Sequence, residues 1–195
     1  MVTDQAILDV LRTIDDPEMP INIVDLGIVE RVQVAPYHNK SGAGGGTLTT
    51  ADTAVAHGVR KEQGTVKVVV DVLPTFVGCP ALPVIESEIR KRVQSLQGVA
   101  EVVVNFKYDP PWTVDRISTA GRESLRKFGL TVPKRELEKG QGSDTPVCPF
   151  CGSHEVKLES SFGPTRCRMI YYCEACSNPF EHLKRVSLTT VGRVS

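Results

Sequence analysis

Charge of one sign is what this sequence lacks most plainly: Lys and Arg number 23, and so do Asp and Glu, over 195 residues. That balance gives no general pull toward nucleic acid or a membrane surface. Aromatics are also scarce, at 6% with a single Trp. The local basic set Arg122, Arg126, Lys127, Lys134 and Arg135 is therefore not interleaved with stacking side chains, and no nucleic-acid partner is expected. No apolar run approaches the roughly 20 residues that span a bilayer. The first residues carry Asp4 and Asp9 and no basic leader, so the expectation is a cytoplasmic protein with no membrane partner. A phosphate loop is absent too, because no Gly-Lys-Ser/Thr follows Gly44-Gly45-Gly46. His38 and His57 both lie in that Gly-rich stretch, a poor place for a rigid catalytic base.

What is present is globular: 41% hydrophobic and 24% charged residues, enough for one ordinary domain and a small second one. Residues 3–14 read as a helix capped by Thr3, with Ile7, Val10, Leu11 and Ile14 on one face. Asp15-Asp16-Pro17-Glu18-Met19-Pro20 forms a rigid acidic loop, since two close prolines forbid a continuing helix. Strands are expected over 28–34, 65–73 and 101–107. A Gly-rich insertion, 36–64, separates the first two. Leu82, Ile85, Ile89, Val93 and Leu96 form a helical stripe that Gly98 ends. A last helix is expected over 113–128, its stripe running through Val114, Ile117, Gly121, Leu125 and Phe128. The fold class is then α+β. A small αββαβ(α) domain, 1–131, carries its helices on a three-stranded mixed sheet, with the first two strands antiparallel and the crossover pair parallel. Residues 132–145 read as a linker and 146–195 as a zinc-ribbon domain.

The tail carries the clearest chemistry. Cys148-Pro-Phe-Cys151-Gly152 and Cys173-Glu-Ala-Cys176 are two tight knuckles, each placing two sulfurs together. Two knuckles supply a tetrahedral set of four thiolates suited to zinc, with rubredoxin-like iron as the alternative for the same ligands. The stretch between the pairs slightly exceeds the usual window and suffices for a hairpin. A closed shell of four thiolates makes the metal structural. His154 and His182 then read as surface imidazoles outside the shell. Cys167, between the knuckles, reads as a small buried side chain.

Cys79 lies in Thr75-Phe-Val-Gly78-Cys79-Pro80. With Pro80 at the first helical position, Cys79 would be the N-cap, its sulfur facing free amides and the positive end of the helix dipole. That setting lowers a thiol pKa. Two readings stay open, a buried structural cysteine and a thiolate able to attack or to bind a soft metal or cluster. Asp15, Asp16, Glu18 and Asp25 likewise admit two readings, turn capping or metal and acid–base work. Trp112 reads as a packing anchor or a partner contact.

In combination these residues resemble a known family. Asp16-Pro-Glu-Met-Pro, Asp25-Leu-Gly-Ile-Val29 and Pro74-Thr-Phe-Val-Gly-Cys-Pro80 resemble the small domain of SufT-type iron–sulfur assembly proteins. Asp109-Pro-Pro-Trp-Thr-Val-Asp115, Gly121-Arg-Glu-Ser-Leu125, Ser161-Phe-Gly-Pro-Thr-Arg-Cys167 and Tyr172-Cys-Glu-Ala-Cys-Ser-Asn-Pro-Phe180 are similar to the PaaD family, the D component of phenylacetyl-CoA epoxidase systems. The resemblance covers nearly all the chain outside 36–64. It implies a non-enzymatic accessory protein of phenylacetate degradation, a maturation factor for iron or iron–sulfur centres; a stoichiometric regulatory or structural subunit is the alternative. Implied partners are the oxygenase and reductase subunits or other iron–sulfur assembly proteins, and a homo-oligomer is allowed. Implied cofactors are structural zinc and a transient cluster or iron. By the same resemblance Cys79 would handle iron or a cluster, with Asp16, Glu18, Asp25, Thr75, Trp112 and Cys167 on the neighbouring surface. The chain departs from the family where Arg116 stands in place of a Trp, and where Lys184-Arg185 stands in place of a cysteine.

Overall fold

The computed structural model describes residues 2–38, 65–76, 78–135 and 145–185. Thr3 caps the first helix as expected, its hydroxyl accepting from Ala6 N at 3.2 Å. This helix, α1, covers Asp4–Leu11 and is shorter than the predicted 3–14. Thr13 and Ile14 close a final turn onto the carbonyls of Val10 and Leu11, and the proline-bounded acidic loop then takes over. Ile7, Leu11 and Ile14 still reach the core.

Strand β1 (Val29–Pro36) pairs antiparallel with β2 (Val66–Val72), and β2 pairs parallel with β3 (Val99–Phe106). Strand β2 is central, as a crossover after a hairpin requires. Most of the predicted insertion, 39–64, lies outside the described residues; Tyr37 N donates to Thr65 O at 2.8 Å where the ladder closes at its base. Helix α2 (Leu82–Gln94) makes the crossover and buries Ile85, Ile89 and Val93. They share one core with Val68, Val70 and Val72 of the central strand, each such side chain contributing about 1.5–3 kcal/mol over exposure.

The helix predicted over 113–128 is two elements. Val114–Arg116 forms a single 3-10 turn, and Ile117 is extended. Ser118 then starts α3 (Thr119–Lys127), its hydroxyl accepting from Gly121 N at 2.9 Å. The same hydroxyl donates to Asp25 Oδ1 at 2.6 Å, and Ser118 N donates to Asp25 O at 2.9 Å. A serine offered these partners restarts the helix where periodicity alone would run through it. Phe128 falls at the C-cap and is 61% exposed, contrary to its place on the predicted stripe. Gly129, at φ +90, reverses the chain there, and Leu130 enters the core in its stead.

Leu130–Thr131 is β4, which pairs in parallel with β7 (Pro179–Leu183). Strand β6 (Arg168–Cys173) pairs antiparallel with both β7 and β5 (Val156–Ser160), giving a second sheet of order β4-β7-β6-β5. The two units are therefore joined. Leu183 lies in the main core and Val132 packs against it. Of the predicted linker, residues 136–144 fall outside the described residues.

Gly121 marks how closely α3 approaches the loop before β1. A Cβ there would lie 2.6 Å from Ile21 Cδ1 and 2.9 Å from Asp25 O. Gly121→Ala is expected to destabilise the protein by about 1–3 kcal/mol, seen as a lowered urea midpoint with an unchanged m-value.

Candidate metal centre and the cysteine cavity

Each cysteine pair sits on a backbone turn closed by its own amides. In the first, Gly152 N donates to Cys148 O and Cys148 N to Ser153 O, both at 3.0 Å. Gly152, at φ +75, makes the left-handed step that its place in the sequence suggested. The second turn repeats the design, with Cys173 N donating to Asn178 O at 3.0 Å. There Ser177, at φ +57, takes the step. Its only sequence signal was its position directly after the second cysteine.

The two turns face one another. Cys148 Sγ lies 3.7 Å from Cys176 Sγ, Cys151 Sγ lies 3.6 Å from Cys173 Sγ, and all four sulfurs fall within 4.8 Å of one another. A tetrahedral ion with metal–sulfur bonds of about 2.3 Å separates its sulfurs by about 3.8 Å. The cluster is thus a metal-binding site whose soft, closed donor set fits such an ion. Cys148 and Cys173 are buried with Phe180 in a small second core, while Cys151 is exposed. Asn178 Nδ2 donates to Cys176 Sγ at 3.4 Å. That bond, helped by the neighbouring thiols, brings Cys176 down to about 6. Asn178 supports the site from outside the ligand shell, a role no spacing rule pointed to.

The imidazoles divide. His154 is exposed as expected. His182 is buried, against the expectation of a surface position: its Nδ1 lies 2.8 Å from Thr131 Oγ1, and Tyr171 meets the ring edge-on. The pairing of β4 with β7, not visible in sequence, encloses it.

Cys79 is not an N-cap. Helix α2 begins at Leu82 with Ala81 as its cap, and Cys79 lies in the preceding turn, donating its N–H to Phe76 O at 3.3 Å. Nor is its thiol acidified. Burial pushes it above the ordinary thiol value; the Ala81 amide opposes this, and the charges of Glu18 and Asp16 add to it. Desolvation outweighs the Ala81 amide because the partly buried thiolate loses more hydration than one backbone donor returns. Gly78 beside it stands at φ +77 with nothing within 4 Å of a built Cβ, which keeps the approach open.

That cavity measures about 180 Å³ and is lined by Glu18, Thr75, Cys79 and Cys167, with Phe76 and Pro164 among its apolar walls. The second sheet supplies Cys167, half-buried, with Thr165 Oγ1 at 3.0 Å from its sulfur. Asp16 stands behind. It is 9% exposed, and its Oδ1 accepts from Glu18 N at 2.8 Å. Burial raises its pKa, and the backbone bond from Glu18 opposes the shift. The remaining two residues of the expected surface sit elsewhere. Asp25 accepts from Asn22 Nδ2 at 2.7 Å and from Ser118, as a turn-capping carboxylate does. Trp112 is buried, its Nε1 donating to Leu26 O at 3.0 Å. Arg116 donates through Nε to Gly27 O and pairs with Glu30.

The fold and site together define a class: an α+β unit on which a four-cysteine metal ribbon is docked. Residues 132–184 match the family model for the PaaD zinc beta ribbon domain, and residues 4–39 that for iron–sulfur cluster assembly protein. The D component of a putative 1,2-phenylacetyl-CoA epoxidase from Escherichia coli (strain K12) is 30% identical over 175 residues, covering 89% of this chain and 88% of its own length. The chain belongs to the PaaD family. It is also 30% identical over 128 residues to an Fe-S protein maturation auxiliary factor of Porphyromonas gingivalis, covering 66% of this chain and 92% of the relative. The crystal structure of a Bacillus anthracis protein described as domain of unknown function DUF59 aligns at 26% identity over 63% of this chain and 90% of that one, with a TM-score of 0.44. Among the described residues no helix is long and apolar enough to cross a membrane.

The Asp16 carboxyl offers a check on this geometry. Its pKa in the folded chain stands above the ordinary value of 3.8, so its contribution to stability is full below that value and declines as pH rises through the folded one. Asp16→Asn keeps the acceptor for Glu18 N and removes the buried charge. Its stability relative to the parent protein is expected to rise from pH 4 to pH 7, measured by urea denaturation at each pH.

Proposed function

We propose that this chain is a non-enzymatic accessory protein of a phenylacetyl-CoA epoxidase system, assisting assembly of an iron or iron–sulfur centre in the oxygenase or reductase subunits. The observation that carries this reading is the cavity at Cys79, where a partly exposed thiol meets a second thiol and an acidic loop. The name of the Escherichia coli relative supports a place in a phenylacetyl-CoA epoxidase system, and that of the Porphyromonas gingivalis relative an accessory role in iron–sulfur protein maturation.

The two cysteine sets suit different tasks. Four convergent thiolates leave no open coordination position, so the ribbon holds structural zinc. Cys79, by contrast, stays protonated at neutral pH and binds an ion only as that ion displaces the proton. Such a ligand holds iron or a cluster briefly and releases it, as delivery demands.

A second reading is a stoichiometric non-catalytic component of the oxygenase. It is favoured by Phe128 and Phe150, at 61% and 56% exposure, which line one surface depression, because contiguous exposed apolar surface marks contact sites. It requires a stable complex and no dependence on Cys79.

Co-production of the oxygenase and reductase subunits with this chain separates the two readings. With Cys79→Ser, iron per partner is expected to fall below half of the parent level while the partner proteins accumulate normally. Full iron loading with Cys79→Ser overturns the maturation reading. Metal analysis of the purified chain is expected to give one zinc, lost in Cys173→Ser. Because structural zinc contributes on the order of 10–16 kcal/mol to such folds, that variant should also lose the ordered ribbon, seen by circular dichroism.

A further inference from the structure

Cys79 and Cys167 come from different units of the chain and line one cavity. The turn between β5 and β6 brings Cys167 there. Gly163 N donates to Arg168 O at 3.0 Å and Arg168 N donates to Thr165 O at 3.1 Å. A Cβ at Gly163 would lie 2.9 Å from Arg168 Cβ, so the turn closes this tightly only around glycine. Lys184 N donates to Cys167 O at 2.8 Å, fixing the backbone of Cys167 against the chain leaving β7. The next residue, Arg168, is 4% exposed; it pairs with Glu181 through Nη1 and donates through Nη2 to Glu18 O, both at 2.6 Å. The arm that presents Cys167 is therefore the arm that grips the loop carrying Glu18.

We propose that Cys79 and Cys167 are the two thiolate ligands of one exchangeable site for a borderline divalent transition-metal ion, with Glu18 as an oxygen donor, completed only when the ribbon is docked. This deepens the accessory reading above and rests on it, with Fe(II) as the cargo. Two sulfurs and one carboxylate make a donor set that such an ion accepts. Glu18 brings negative charge to the cavity wall and Asp16 stands behind it, a charge that a bound cation offsets. Apolar walls from Phe76, Pro80 and Pro164 limit competition from water.

Among the described residues, the ribbon cysteines are the only group of three or more metal-type side chains already closed within 4.8 Å. Glu18, Cys79 and Cys167 line one cavity but are not closed on one another within that distance. That gives weaker binding, with coordination positions left for ligands of a receiving protein. Binding forms two metal–sulfur bonds and one metal–oxygen bond to Glu18, breaks the corresponding metal–water bonds, and releases two thiol protons to solvent. Transfer exchanges these ligands for those of the recipient, with no change of oxidation state in either step.

The test uses the zinc-loaded full chain under anaerobic conditions, with Co(II) as the spectroscopic substitute for Fe(II). Zinc outranks Co(II) at nitrogen and sulfur sites, so the ribbon stays filled. The expected result is one added Co(II) per chain with a thiolate-to-metal absorption band. The band should fall to about half in Cys79→Ser and in Cys167→Ser, and vanish in the double variant, as one thiolate is lost at a time. Zinc content near one per chain certifies each variant as folded. On the parent chain, phenylarsine oxide is expected to protect Cys79 and Cys167 from alkylation together, which needs no variant. A full band in Cys167→Ser with its loss in Cys79→Ser overturns the composite site and leaves iron handling by Cys79 alone. Absence of any added Co(II), with both thiols alkylated independently, overturns the composite site and the iron-handling reading together.

Discussion

The buried guanidinium of Arg168 bridges the two halves of this protein. Arg168 is buried, and an uncompensated cation there would cost several kcal/mol. Its compensation comes from both sides of the joint: the carboxylate of Glu181 on the neighbouring strand and the carbonyl of Glu18 on the acidic loop. The same strand, β7, is bound by β4 on its other edge, where Thr131 Oγ1 donates to Glu181 O and meets His182. Leu183 at its end enters the main core, and Arg185 just beyond pairs with Asp115 at 3.7 Å. Ion pair, ladder and apolar contact act on one strand, so the ribbon is docked as a body and the Cys79 cavity gains its outer wall.

The two thiol sets illustrate how environment assigns a role to one residue type. In the ribbon, backbone turns hold the sulfurs at the spacing a tetrahedral ion imposes, and Asn178 donates toward them. Around Cys79 the influences point the other way, since partial burial and nearby carboxylates keep the thiol protonated. The ribbon sulfurs are closed on one another at a spacing that fits a metal ion, whereas Cys79 and Cys167 line a cavity without such closure.

Much of the architecture was legible. The stripe of Ile85, Ile89 and Val93 and the Val-rich central strand gave their elements directly, because burial on one face imposes a period that the residues carry. The α+β order followed from chain connectivity. Other features depended on partners distant in sequence. The break before α3 exists because Asp25 meets Ser118. His182 is buried because β4 returns to the second sheet. Cys79 looked like a cap because Pro80 can begin a helix, yet the chain spends Pro80 and Ala81 in a turn and starts α2 at Leu82.

The sequence by itself determined the four ribbon ligands, the helical and strand periods and the acidic, proline-stiffened loop, because each rests on spacing within a few residues of chain. Tertiary structure alone decided which carboxylates face Cys79 and which merely cap turns. It alone brought Cys167 to the same cavity and set the proton affinity of the Cys79 thiol. These properties depend on distance and desolvation between segments far apart in the chain, and neither quantity is written in local order.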